Sequence, residues 1–182
     1  MIRFTAWRGP EPREGRGLRW GDAIRAGVVL CALVAIALYV IERRGSTVSG
    51  FATVTDGDSL RIDGVAIRIE GIDTPELQQS CEAKGQSYRC GEAARRELAR
   101  LIDGADVTCQ VVGQDRYRRS LARCEAGSDD LGAALVRRGF AVAYGKTYAR
   151  EEAQARRQRA GLWAGQFQPP AEWRRDHRPP PP

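Results

Sequence analysis

Residues 51–76 read FATVTDGDSLRIDGVAIRIEGIDTPE, and their alternation sets the architecture. Residues 51–55 have the β-branched and aromatic content of a strand, and Asp56-Gly57-Asp58 has that of a turn. Residues 60–62 and 65–72 alternate apolar and polar positions across Asp63-Gly64, a strong hairpin signal. Strands joined by turns this short run antiparallel, which excludes a parallel α/β sheet. Further along, residues 92–102 have helical spacing, with Ala93, Leu98, Leu101 and Ile102 on one side and a stop at Asp103-Gly104. Residues 107–112 and 120–124 read as two more strands. Residues 131–138 form a short helix opened by Ser128 or Asp129 and closed by Gly139, and residues 150–160 form a basic helix ending at Gly161. Three strands, a helix, two strands and then helices predict an α+β protein, mainly β. The expected core is a five-stranded Greek-key barrel with three helices.

Outward from that block the chain changes character. Residues 1–25 are rich in Arg, Gly and Pro without hydrophobic period and read as a disordered leader. Residues 26–41 are an uninterrupted apolar run, between a signal-peptide core and a span of ~20 residues. No small-x-small cleavage site follows, and six Arg precede the run. The favoured reading is an uncleaved N-terminal transmembrane helix, with a signal-peptide h-region as the alternative. The positive-inside rule then keeps the N-terminus cytoplasmic and exports the body across a bacterial inner membrane into the periplasm. Residues 42–47 serve as linker, 48–165 as the folded domain, and 166–182 as a Pro/Arg-rich tail.

The net charge of +6 is concentrated near the N-terminus. Residues 1–45 carry eight Arg against four acids, and the rest of the chain is only +2. Bulk basicity is therefore a weak argument for an acidic partner, and any such argument rests on a site. Cys81, Cys90, Cys109 and Cys124 lack C-x-x-C spacing, which disfavours a zinc ribbon and suits disulfides in an oxidising compartment. Proximity favours Cys81–Cys90 and Cys109–Cys124 among the three possible connectivities.

The candidate chemistry lies in Asp58, Arg68, Asp73, Thr74, Glu76 and Arg119. Asp58 follows the first turn, and Asp73 ends the third strand. Pro75 keeps Thr74 extended, so the Thr74 carbonyl is free to face outward. Two carboxylates and a carbonyl make a hard oxygen set suited to Ca²⁺. The single histidine, His177, lies in the tail and reads as a solvated surface residue. Phosphodiester hydrolysis needs an activated water, stabilised phosphate oxygens and a neutralised leaving group. Glu76 is placed to supply the first, and the planar forks of Arg68 and Arg119 the second. Each residue alone has a plainer reading as turn, cap or solvated charge; their joint order carries the reading.

V-T-D-G-D-S-L at 54–60, A-I-R-I-E-G-I-D-T-P-E at 66–76 and D-R-Y-R-R-S-L-A at 115–122 resemble the motifs of the staphylococcal (micrococcal) thermonuclease family in order and spacing. D-L-G-A-A-L-V-R-R-G-F-A at 130–141 and E-A-Q-A-R-R-Q-R-A-G-L-W at 152–163 look like that family's later helices. The resemblance implies an OB-fold barrel and a Ca²⁺-dependent endonuclease acting on DNA and RNA, single-stranded or unpaired by preference, as a monomer, leaving 3′-phosphates. It makes Asp58 and Asp73 side-chain ligands and Thr74 a carbonyl ligand. Glu76 becomes the base, Arg68 and Arg119 the phosphate clamp, and Tyr117 and Tyr144 nucleotide contacts. Arg118 departs from the family's glycine, so it either displaces Arg119 or adds a phosphate contact. The 81–90 segment is an insertion that shapes the groove or is merely stapled surface. The competing reading is a catalytically silent OB-fold binding module.

Overall fold

The computed structural model describes residues 20–43 and 46–177. The chain divides into two compact units, Met1–Arg44 and Gly45–Pro182. In the first, helix α1 (Trp20–Arg43) begins inside the stretch expected to be disordered. Its described apolar side chains, such as Ile24, Val28, Leu33 and Ile36, are exposed. Among the described residues, no helix is long and apolar enough to cross a membrane. The run expected over 26–41 thus lies within a helix. The rest of the leader, residues 1–19, lies outside the described residues, as do the terminal prolines.

The second unit opens with β1 (Thr47–Val54), β2 (Ser59–Ile62) and β3 (Val65–Ile69), an antiparallel meander. The third strand is shorter than its alternation suggested. Glu70-Gly71 breaks it, with Gly71 at φ 81°, and β4 (Ile72–Asp73) resumes in a different pairing. A hairpin of β5 (Ser80–Ala83) and β6 (Gln86–Arg89) precedes α2 (Cys90–Ile102). Strands β7 (Asp106–Gln114) and β8 (Ser120–Ala126) follow, then β9 (Asp129–Asp130) and α3 (Leu131–Arg137). Next come β10 (Val142–Ala143), which pairs with β4, and α4 (Ala149–Gln158). A 3-10 turn (Gly161–Ala164), β11 (Gly165–Gln166) and α5 (Pro170–Asp176) complete the unit. The body therefore carries α5 beyond the three helices expected. The cap of α3 is Asp130 rather than Ser128 or Asp129, because its side chain accepts from the Ala133 amide.

β1 pairs on one side with β2 and on the other with β7, and β7 pairs with β8. β8 then runs parallel to β3, with Ile67 opposite Ser120 and Ile69 opposite Ala122. That last pairing closes five strands into a barrel. Alternation along each strand sends Leu60, Ile62, Ile67, Ile69, Val107 and Ala122 inward, all almost fully buried. Leu98 and Ile102 of α2 and Leu131, Leu135 and Val136 of α3 pack against them. Arg100 and Arg138 both reach the nearly buried Glu97 carboxylate, joining α2 to the end of α3.

Both disulfides form in the pairing favoured by proximity. Cys109 and Cys124 are directly opposed on β7 and β8, with both side chains facing the core. Cys81–Cys90 ties β5 to the first residue of α2. Reduction is expected to lower the unfolding free energy by about 3 kcal/mol for the longer of the two loops. Urea unfolding with and without reductant measures this, and coincident curves would remove the cross-links from the stability balance.

Candidate active site

The strand ends bring one set of charges together. The turn before β2 is fixed locally: the Asp58 amide donates to Asp56 Oδ1 at 3.1 Å, and the Thr55 hydroxyl donates to the Ser59 carbonyl at 3.0 Å. Gly57 is needed here because a Cβ would stand 2.8 Å from Thr74 Oγ1. This contact presses the turn onto the residues that follow β4. Asp58, Asp73 and Thr74 are consequently buried, at 3%, 6% and 4% exposure. Arg68 projects from β3 on the face opposite Ile67 and Ile69. Its Nη1 donates to Asp58 Oδ1 at 2.9 Å, and its Nη2 lies 2.7 Å from Asp58 Oδ2 and 3.2 Å from Asp73 Oδ1. Two carboxylates thus converge on a single guanidinium nitrogen.

Arg119 enters from the β7–β8 turn. Asp115 organises that turn by accepting from the Tyr117 amide at 2.8 Å and the Arg119 amide at 2.9 Å. Its other oxygen accepts from Arg119 Nε at 2.8 Å, which aims the fork, and Arg119 Nη1 donates to Ser59 Oγ at 3.3 Å. Burial pushes the Asp115 carboxyl up, but the hydrogen bonds from Arg119 and Tyr117 outweigh it and hold it below the usual carboxylate range. Sequence reasoning missed Asp115, although an Asp opening a short loop is the usual sign of such a side-chain-to-backbone turn. Arg118 occupies the left-handed region at φ 65°, and its amide donates to the Asp115 carbonyl at 3.0 Å. The backbone shape that glycine takes freely is therefore present, and Arg119 keeps its place in the cleft. Arg118 itself is exposed; its neighbour Arg116 is the one that lines the cleft.

A second missed residue is Arg174, on α5 in the stretch read as tail. Its two terminal nitrogens donate to Asp73 Oδ1 at 3.0 Å and Oδ2 at 2.8 Å, and Nη1 also donates to Glu76 Oε1 at 2.9 Å. No periodicity in the sequence links a tail arginine to residues about a hundred positions earlier. Its support is Gln79, which is fully buried. The Gln79 side-chain amide donates to the Gln168 carbonyl at 2.7 Å, and its oxygen accepts from the Glu76 amide at 3.2 Å. His177, expected to be solvated, is exposed and stacks on Trp173 with ring centroids 4.0 Å apart.

The result is an open cleft of about 480 Å³, lined among others by Asp58, Arg68, Glu76, Tyr117, Arg119 and Arg174. A second hollow of about 350 Å³ shares Arg68, Leu121 and Arg174 with it and is bordered by Tyr144. Tyr117 and Tyr144 are 66% and 75% exposed, so each presents an aromatic face beside the charged centre. Among the described residues, no three His, Cys, Asp or Glu side chains cluster as a metal centre. Asp58 and the Thr74 segment in the cleft and Asp73 at the adjoining hollow instead offer oxygen donors. Burial pushes Asp58 up to about 7, against the lowering effect of Arg68 and with added repulsion from Asp56. A carboxylate in that position is under-compensated, and a hard cation beside it would keep it ionised. The donor set therefore fits such an ion.

The profile of the family described as Staphylococcal nuclease homologue matches residues 66–165. The chain is 32% identical over 124 residues to the succinoglycan biosynthesis protein ExoI of Rhizobium meliloti (strain 1021), covering 64% of this chain and 65% of that protein. It is 31% identical over 118 residues to the staphylococcal-like nuclease CAN1 of Arabidopsis thaliana, covering 62% of this chain but only 34% of that one. Over 174 residues it is 31% identical to the micrococcal nuclease of Shigella flexneri, covering 84% of this chain and 91% of the relative.

Arg118 holds a positive φ without a glycine's freedom, at a cost of about 1 kcal/mol. Arg118→Gly is expected to recover part of that, raising the urea midpoint at unchanged slope. A lower midpoint would show that the arginine side chain contributes more than its backbone strain costs.

Proposed function

The chain belongs to the staphylococcal nuclease family, and on that footing we propose that it is a Ca²⁺-dependent endonuclease that hydrolyses phosphodiester bonds. The observation that carries the proposal is the gathering of Asp58, Glu76, Arg68 and Arg119 around one open cleft, with Asp73 tied to it through Arg68 from the adjoining hollow. Asp58, Asp73 and the Thr74 carbonyl would hold the cation, which when bound supplies charge neutralisation and a template for phosphate oxygens. Glu76, 40% exposed at its side chain, has the access to water that a base requires. Arg119, aimed by Asp115, and Arg68, aimed by Asp58, present donors to phosphate oxygens as charge develops. Tyr117 and Tyr144 offer stacking faces on either side, which suits unpaired DNA or RNA, and Arg116 and Arg118 add positive charge at the rim. The family resemblance further supports 3′-phosphate products and action as a monomer.

Two core disulfides support work in an oxidising compartment, which we take to be the bacterial periplasm. The exposed apolar side chains of α1 support attachment of the chain to the inner membrane, with secretion after signal cleavage as the alternative.

The test is hydrolysis of single-stranded DNA by the full chain, with Ca²⁺ and with chelator, beside two variants. Cutting is expected only with Ca²⁺, and Glu76→Gln should lower turnover by about 10²–10⁴-fold while nucleotide binding persists. Arg119→Lys should lose about 10²-fold, because a point charge cannot replace a planar fork. DNA binding without any cutting by the wild type would instead establish a silent binding module. Full turnover in Glu76→Gln would remove that carboxylate from the mechanism.

A further inference from the structure

The proposed site leaves one strong contact unused. Arg174 binds both oxygens of Asp73 and one oxygen of Glu76, which on the reading above are a cation ligand and the base. The contact is built rather than incidental. β11 adds to the edge of the β5–β6 hairpin, with Gly165 opposite Ala83 and Gln166 opposite Glu82. The approach is so close that a Cβ on Gly165 would meet the Glu82 carbonyl at 1.8 Å. The Cys81–Cys90 disulfide and Leu162 form a small core under this sheet, with Tyr88 and Phe167 packed on it. Gln79 then fixes Gln168, and the buried Pro170 begins α5. The insertion, the tail strand and the short helix together deliver one guanidinium to Asp73. Gly91 lets α2 lie against the segment that carries Glu76, since a Cβ there would meet the Glu76 carbonyl at 1.8 Å.

We propose that Arg174 is a tail-borne counter-ion that competes with the divalent cation for Asp73 and holds Glu76 in place until that cation binds. The inference rests on the assignment of Asp73 as a cation ligand. A fork on both Asp73 oxygens covers the face a metal would approach, and two positive charges do not share one carboxylate face without repulsion. Cation binding therefore requires the guanidinium to swing aside. Its side chain is 40% exposed and lines both hollows, so it has solvent-facing space to do so. Released from Asp73, the same fork stands in the cleft that would receive a phosphate. The apparent affinity for the cation is reduced by the fraction of molecules in which Arg174 is engaged. The C-terminal helix thus sets the cation concentration at which the site is filled, a property the barrel alone would not have.

The test measures cation binding itself. Ca²⁺ is titrated by calorimetry into the full-length wild type, Arg174→Ala and Arg174→Gln, without nucleic acid. If about nine molecules in ten hold the Asp73 contact, the dissociation constant should fall about tenfold in Arg174→Ala. Arg174→Gln, which keeps length and donors but not charge, should also bind more tightly, and it carries the test if the alanine variant does not fold. Equal or weaker binding in the folded variants overturns the inference while leaving the cation site standing. No binding by the wild type or either variant overturns the cation reading and the inference together.

Discussion

The parallel pairing of β3 with β8 is the constraint on which the rest of the molecule turns. The meander β1–β2–β3 forms from local turns, but its last edge would remain open and its apolar face uncovered. Only when β8 returns beside β3 does the sheet close, and along the chain that return comes after α2 and β7. The register matters as much as the closure. With Ile67 opposite Ser120 and Arg68 opposite Leu121, the residue just before β8 is Arg119, delivered beside the carboxylates that Arg68 holds. A shift of one position would turn Arg68 inward and Ile67 outward. The same pairing thus seals the hydrophobic core and assembles the charged cleft.

That cleft is a place where electrostatic cost is kept rather than removed. Asp58 and Asp73 are nearly inaccessible to water, and Glu76 stands beside them. Two guanidinium groups, Arg68 and Arg174, share these three carboxylates. Arg68 comes from a barrel strand and is rigidly placed, whereas Arg174 comes from a short helix at the surface. The compensation is therefore unequal: one partner is part of the fold, and the other is attached to it. Breaking a buried ion pair leaves a costly unpaired charge, so removing Arg68 and removing Arg174 are different perturbations of the same site.

Much of this was legible because the governing interactions are local. Alternation around Asp63-Gly64 revealed the hairpin, and the joint order of Asp58, Arg68, Asp73 and Glu76, with the family resemblance it carries, suggested their convergence. The expected third strand ran through Glu70-Gly71 because the apolar pattern continues; the turn there is a backbone event, marked only by the positive φ of Gly71. Asp130 won the cap of α3 over its neighbours because pairing of Asp129 and Asp130 with β8 sets where the helix can start. The proline-bounded helix α5 and Arg174 were hidden for a different reason. Their placement depends on a buried glutamine, a disulfide-tied hairpin and a two-residue strand, none of which has a periodic signature.

Arg174 also has a consequence for the order in which the protein matures. A chain synthesised from its N-terminus presents β1 to β4, and with them Asp58, Asp73 and Glu76, long before α5 exists. Arg68 arrives with those strands, so the barrel has one counter-charge from the start. The second comes only after every barrel strand has been synthesised and the β5–β6 hairpin is ready to receive β11. Until then the Asp73–Glu76 side of the cleft lacks its second counter-charge. The docking of α5 therefore follows the barrel strands in order of synthesis, and with it the cleft gains its second guanidinium.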